Sequence, residues 1–140
     1  MRVVRVSRWI NAPPEAIFDL LASPTRHSSF DGSGNVRSVR RAPQRLSLGA
    51  KFTMGMYDRV SYATTNVVVA YCENRTIAWH HFARFIWRYD LTPVREGTTV
   101  TELFDYSVPW GVFIIPLALP NRNRLGMQRT LDRIAELVER

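Results

Sequence analysis

The chain has 140 residues, enough for one domain with a core of its own and too few for two ordinary ones. Hydrophobic residues make up 46% and charged residues 22%, which excludes a disordered chain, and no repeat or low-complexity tract marks it as fibrous. Lysines and arginines number 19 against 12 acids, a net charge of +7, and only Lys51 among them is a lysine.

Residues 3–10 read as a β-strand. Arginine interrupts every apolar run in MRVVRVSRWI, so this opening is not a secretory signal. NAPPEAIFDLLASP reads as a helix, with Asn11 as its cap, prolines in the first turn and Glu15 where negative charge suits the N-terminal dipole. Ile17, Leu20 and Leu21 form its apolar stripe. Ser23-Pro24 stops that helix and opens a second short one through TRHSSF, and DGSG at 31–34 is a turn. The period then changes. Segments 35–41, 50–58, 61–72, 76–82, 84–93 and 98–108 are β-rich and divided by turn residues, too close together for crossover helices, so the sheet is expected to be antiparallel. RLGMQRTLDRIAELVER ends the chain with Met127, Leu131, Ile134 and Val138 at helical spacing. This order predicts one α+β domain over 1–140, about seven strands with a long C-terminal helix covering one sheet face.

Alternation assigns faces. Phe85, Trp87, Tyr89 and Leu91 share one face of 84–93, while Arg88 and Asp90 take the other. Val100, Glu102, Phe104 and Tyr106 share a face of 98–108; Trp79 shares one with His81, and Met54 and Met56 share one with Phe52. The parity of 61–72 is ambiguous. Amphipathic aromatics, methionines and one inward carboxylate suit a cavity wall, and equally suit a core whose polar atoms find partners.

A resemblance separates these readings. INAPPEAIFDLLASPTRHSSFDGSG, TIAWHH and WRYDLTPVREGTTVTE resemble the START-like, or polyketide cyclase/dehydrase-like, superfamily (the SRPBCC group) over nearly the whole chain. The resemblance implies a helix-grip fold, a curved antiparallel sheet wrapped around the C-terminal helix, with a hydrophobic cavity between them. It implies that Phe30, in place of the tryptophan usual after the second helix, stands at the cavity. The expected lining is Phe30, Met54, Met56, Trp79, His81, Trp87, Tyr89, Glu102, Phe104, Tyr106, Met127 and Leu131. The expected partner is a hydrophobic or amphipathic small molecule, held by a monomer or homodimer in the cytoplasm.

Two other functions stay open on sequence. His81 and Glu102 are the candidates for acid–base work in a cyclase- or dehydratase-like enzyme. Arginines could instead serve a partner-binding surface, but the basic residues run from Arg2 to Arg140 without a dense patch, the nearest being 36–45 and 121–124, so nucleic acid is not an expected partner. No cofactor motif appears. His80 and His81 point to opposite faces of one strand and cannot share an ion, so no metal is expected. The apolar stretch 108–120 holds 13 residues and three prolines, too short to span a bilayer at ~20 residues. It reads either as the broken first turn of the last helix or as a lid that touches a membrane transiently.

Overall fold

The structure, a computed structural model, describes residues 2–81, 84–109 and 119–139. Its elements are β1 (Val3–Ile10), α1 (Pro14–Leu21), a short 3₁₀ helix (Pro24–Arg26), α2 (His27–Phe30), β2 (Val36–Arg41), β3 (Lys51–Asp58), β4 (Val60–Cys72), β5 (Thr76–His80), β6 (Ile86–Val94), β7 (Gly97–Asp105) and α3 (Leu119–Val138). The seven strands form one antiparallel sheet in the order β1-β7-β6-β5-β4-β3-β2. The chain leaves β1 at one edge and re-enters at the opposite edge through β2. The two short helices make that crossing, and every later strand pairs with the one before it. This is an α+β, helix-grip-like fold with α3 packed against β1, β7, α1 and α2.

Local chemistry explains where elements begin and end. Helix α1 starts at Pro14 with Pro13 at its cap position, and Asn11 does not cap it. A residue before proline is pushed out of the helical region, and Ala12 and Pro13 both precede one. Asn11 instead donates its backbone N–H to Glu139 Oε2 at 2.8 Å, tying the first loop to the end of α3. Ser23 gives no side-chain cap either; its hydroxyl donates to the Asp19 carbonyl at 2.6 Å. Strand β7 ends at Asp105, three residues before the expected 108, because Asp105 Oδ1 accepts the Ser107 N–H at 2.8 Å in a local turn that competes with the ladder. Strand β5 ends at His80, not 82. The His81 carbonyl accepts the Arg84 N–H at 2.9 Å, and Arg84 is left-handed at φ 62°, so the chain is already turning. Helix α3 already includes Leu119 and Pro120, the proline being tolerated in a first turn. The two readings of 108–120 concern mainly 110–118, which lie outside the described residues.

The core is continuous from α1 through the sheet to α3. Ile17, Phe18, Leu20 and Leu21 of α1 are buried, as are Val100 and Phe104 of β7 and Met127, Leu131 and Ile134 of α3. The turn after α2 docks on α3 with almost no clearance: a Cβ on Gly32 would stand 2.1 Å from the Gly126 carbonyl oxygen. The Gly32 N–H donates to Thr130 Oγ1 at 2.8 Å, which holds that approach. Only glycine lets the two backbones come this close.

Candidate functional site

Between one sheet face and α3 lies a cavity of about 460 Å³. Strand alternation builds its far wall. Trp87 and Tyr89 of β6 stand beside Phe104 and Glu102 of β7, their direct cross-strand partners, while Arg88 and Asp90 pair with each other on the opposite face at 2.9 Å. Trp79 of β5 lies opposite Trp87 and contacts the Tyr89 ring at 5.8 Å. Phe104 packs on Trp87 at 4.4 Å. Strand β3 supplies Phe52, Met54 and Met56, and α3 supplies Gly126, Met127 and Thr130.

Of the residues expected to line the site, the structure brings Phe30, Met54, Met56, Trp79, His81, Trp87, Tyr89, Glu102, Phe104 and Met127 to the cavity. Tyr106 and Leu131 are not in its wall. Tyr106 lies past the end of β7 and stacks on Phe104 at 5.5 Å. Leu131 is buried in the core one turn beyond Met127.

Several lining residues are missing from the expected set, among them His27, Thr64 and Asn66. His27 is 5% exposed and stacks on Trp79 at 5.3 Å, with Phe52 and Phe30 packed around it. Its Nε2 bonds the Leu21 carbonyl at 2.8 Å, and only the N–H tautomer can donate there. Burial lowers its pKa to about 4, with the Leu21 bond and the Asp31 charge opposing, so the ring is neutral at neutral pH. Its signal was present: His27 precedes Phe30 by three residues, the spacing of side chains that meet on one helix face. Thr64 and Asn66 of β4 also face the cavity. Register explains them, since Met54 pairs with Thr64 and Phe52 with Asn66 across the β3–β4 hairpin. Once β3 is read inward, β4 follows.

Glu102 is the polar centre of the deep end. It is 2% exposed. Oε1 accepts the Tyr89 hydroxyl at 2.8 Å, while Oε2 is buried without a hydrogen-bond partner among the described residues. The partner of Glu102 is thus a tyrosine hydroxyl, while His81, the other acid–base candidate, shares the cavity wall and packs edge-on against Phe85 at 5.2 Å. Burial drives the Glu102 pKa up from 4.5 to about 8; the Tyr89 bond pulls it back and the Asp31 charge adds to the rise. Burial also raises Tyr89 well above 10, with Glu102 reinforcing it, and lowers His81. The deep end thus holds an acid-form carboxyl, a phenol and two neutral imidazoles. The rim is more polar and more exposed: Asp31, Ser33, Asn35, Tyr62 and Asn123. Near it, Arg122 of α3 reaches Asp58 on the β3–β4 hairpin at 3.1 Å. Among the described residues no cluster of His, Cys, Asp or Glu could hold a metal ion, and no helix is long and apolar enough to cross a membrane.

A family model described as polyketide cyclase / dehydrase and lipid transport matches residues 1–139. The uncharacterised protein Rv0088 of Mycobacterium tuberculosis is 31% identical over 141 aligned positions, covering 94% of this chain. The chain spans 63% of that relative's length. Among solved structures, CV1439 from Chromobacterium violaceum superposes with a TM-score of 0.77 at 18% identity, covering 100% of this chain and 99% of the other. The Aha1 dimer from Colwellia psychrerythraea gives a TM-score of 0.73 at 14% identity, covering 99% and 97%. At these identities the two structures show the shared fold alone.

Proposed function

Because the chain belongs to the polyketide cyclase / dehydrase and lipid transport family, we propose that it binds, and carries, a hydrophobic or amphipathic small molecule between its sheet and α3. The observation behind this reading is the open, aromatic-walled cavity of about 460 Å³ in a chain of 140 residues. Protein interiors normally close such space. A ligand's carbon skeleton supplies the missing contacts, and the volume falls within the usual ~300–1,000 Å³ of small-molecule sites. The polar rim and the single deep carboxyl suit a molecule with an apolar body and few polar groups.

Native mass spectrometry of protein purified without denaturation tests this. The expected spectrum carries a second species heavier by one small molecule, and the stripped protein takes up Nile red with a rise in fluorescence. Ligand-free mass together with no Nile red uptake would exclude the reading.

A further inference from the structure

The cavity has a charge sign, and it runs against that of the molecule. The chain carries 19 lysines and arginines, yet none of those described lines the cavity. The charged or chargeable acids in the wall are Glu102 at depth and Asp31 at the rim, and the two imidazoles, His27 and His81, are held neutral by burial. Asp31 is already anchored, its Oδ2 accepting from the Ser33 hydroxyl at 2.7 Å and from the Val36 N–H at 3.2 Å. Glu102 is not: its Oε2 is enclosed and has no partner among the described residues. A buried carboxyl oxygen without a hydrogen-bond partner is costly in either protonation state, and the cost is relieved by whatever supplies one.

Resting on the cavity reading above, we propose that the ligand carries a protonated amine, which donates to Glu102 Oε2 while its apolar body lies among Trp79, Trp87, Tyr89 and Phe104. Three features favour an ammonium over other head groups. An ammonium supplies both the missing donor and the countercharge that lets Glu102 ionise in a low-dielectric site. Aromatic faces stabilise cations, and this wall contains two tryptophans, two tyrosines and phenylalanines. An anionic head group, such as a fatty carboxylate, would meet Asp31 and Glu102 in the wall, while the arginines at the rim, Arg122 and Arg133, are engaged with Asp58 and with the Asp31 carbonyl. A neutral carbonyl could accept from the acid form of Glu102, but it would gain nothing from Asp31 or from the ring faces.

Proton linkage gives the proposal a second signature. The titratable groups facing Glu102 across the cavity are His27, Asp31, Tyr62, His81 and Tyr89. Of these, Asp31 and Tyr89 act on Glu102 directly. The free protein holds Glu102 protonated below about pH 8. An ammonium binds the ionised form, so a proton must leave. Amine affinity then rises with pH through that value and flattens above it, until the amine itself deprotonates near ~10.

Isothermal titration of the stripped protein with octylamine, octanol and octanoate tests this, three probes that share one chain and differ in head group. At about pH 9, octylamine is expected to bind at least ~10-fold tighter than octanol, the size of one charged hydrogen bond, and octanoate more weakly than either. Octylamine affinity should fall about tenfold between about pH 9 and about pH 7, as Glu102 regains its proton. In Glu102→Gln the amine-to-alcohol ratio should collapse toward one. If that variant fails to fold, the three-probe order and the pH series on the wild type decide alone. Octanol matching octylamine, or octanoate binding tightest, would overturn the amine assignment and leave the cavity reading standing. Binding of none of the three would overturn both.

Discussion

Two buried groups in the cavity wall change protonation in opposite senses, and together they set the pH at which the protein is most stable. His27 titrates at 6.5 when exposed and at about 4 in the fold. Between those values the unfolded chain holds the extra proton, so stability falls as pH drops from 6.5 toward 4. Glu102 titrates at 4.5 when exposed and at about 8 in the fold. Between those values the folded protein holds the extra proton, so stability is fully present below 4.5 and is lost as pH rises toward 8. Each slope is about 1.4 kcal/mol per pH unit, and the two oppose each other between 4.5 and 6.5. His81, also lowered by burial, acts in the same sense as His27. The optimum therefore falls near pH 6.5, with Glu102 unopposed above it. Chemical denaturation should show a loss of about 2 kcal/mol between about pH 6.5 and 8. Glu102→Gln should abolish that alkaline fall and keep the acid limb. Equal stability of the wild type at both pH values would mean that Glu102 is not held in its acid form.

At the scale of elements, the strands whose alternation is chemically sharp were legible and the others were not. Strands β6 and β7 set aromatics against Arg88, Asp90 and threonines, so their inward faces follow from sequence, Glu102 included. Strand β4 is polar on both faces at Thr64, Thr65 and Asn66, and no period marks which face is buried until β3 fixes the register. Helix α2 has four residues, too few for any periodic signal, and its His27 reaches the site through contacts with Leu21, Phe52 and Trp79 that only folding brings together. Tyr106 was misplaced because alternation was carried past the end of β7. The same limit bears on the histidine pair. His80 is the last residue of β5 and bonds the His81 carbonyl through Nδ1 at 3.0 Å, away from the cavity, while His81 lines it. His81→Ala is expected to weaken Nile red binding roughly three- to tenfold, the size of one or two lost apolar contacts. His80→Ala should leave that binding alone and change stability by about 1 kcal/mol or less. Matching effects on dye binding would place the wall elsewhere than at the β5–β6 connection.

At the scale of the whole molecule, sheet order and charge distribution point the same way, toward a protein whose chemistry is inside. The fold class was legible because short β segments without crossovers admit only an antiparallel sheet, and a single amphipathic helix is left to cover it. The positive charge, by contrast, has no organised outlet. Arg8, Arg45, Arg88 and Arg122 are each paired with acids, on β1, the β2–β3 connection, β6 and α3. Arg45 alone bridges Asp19 and Glu73. Exposed pairs of this kind add little stability, ~0–1 kcal/mol each, but they occupy charges that a phosphate backbone would need. The remaining arginines are dispersed along the chain, so few can meet one stretch of duplex at once. Nucleic-acid binding should then be electrostatic, sequence-independent and weak. A fluorescence-anisotropy titration with a random-sequence duplex should detect it at about 50 mM salt, and it should vanish by about 200 mM, since each phosphate contact steepens the loss with salt. Affinity that survives at the higher salt, or that distinguishes one duplex sequence from another, would require a clustered set of arginines and would contradict a diffuse +7.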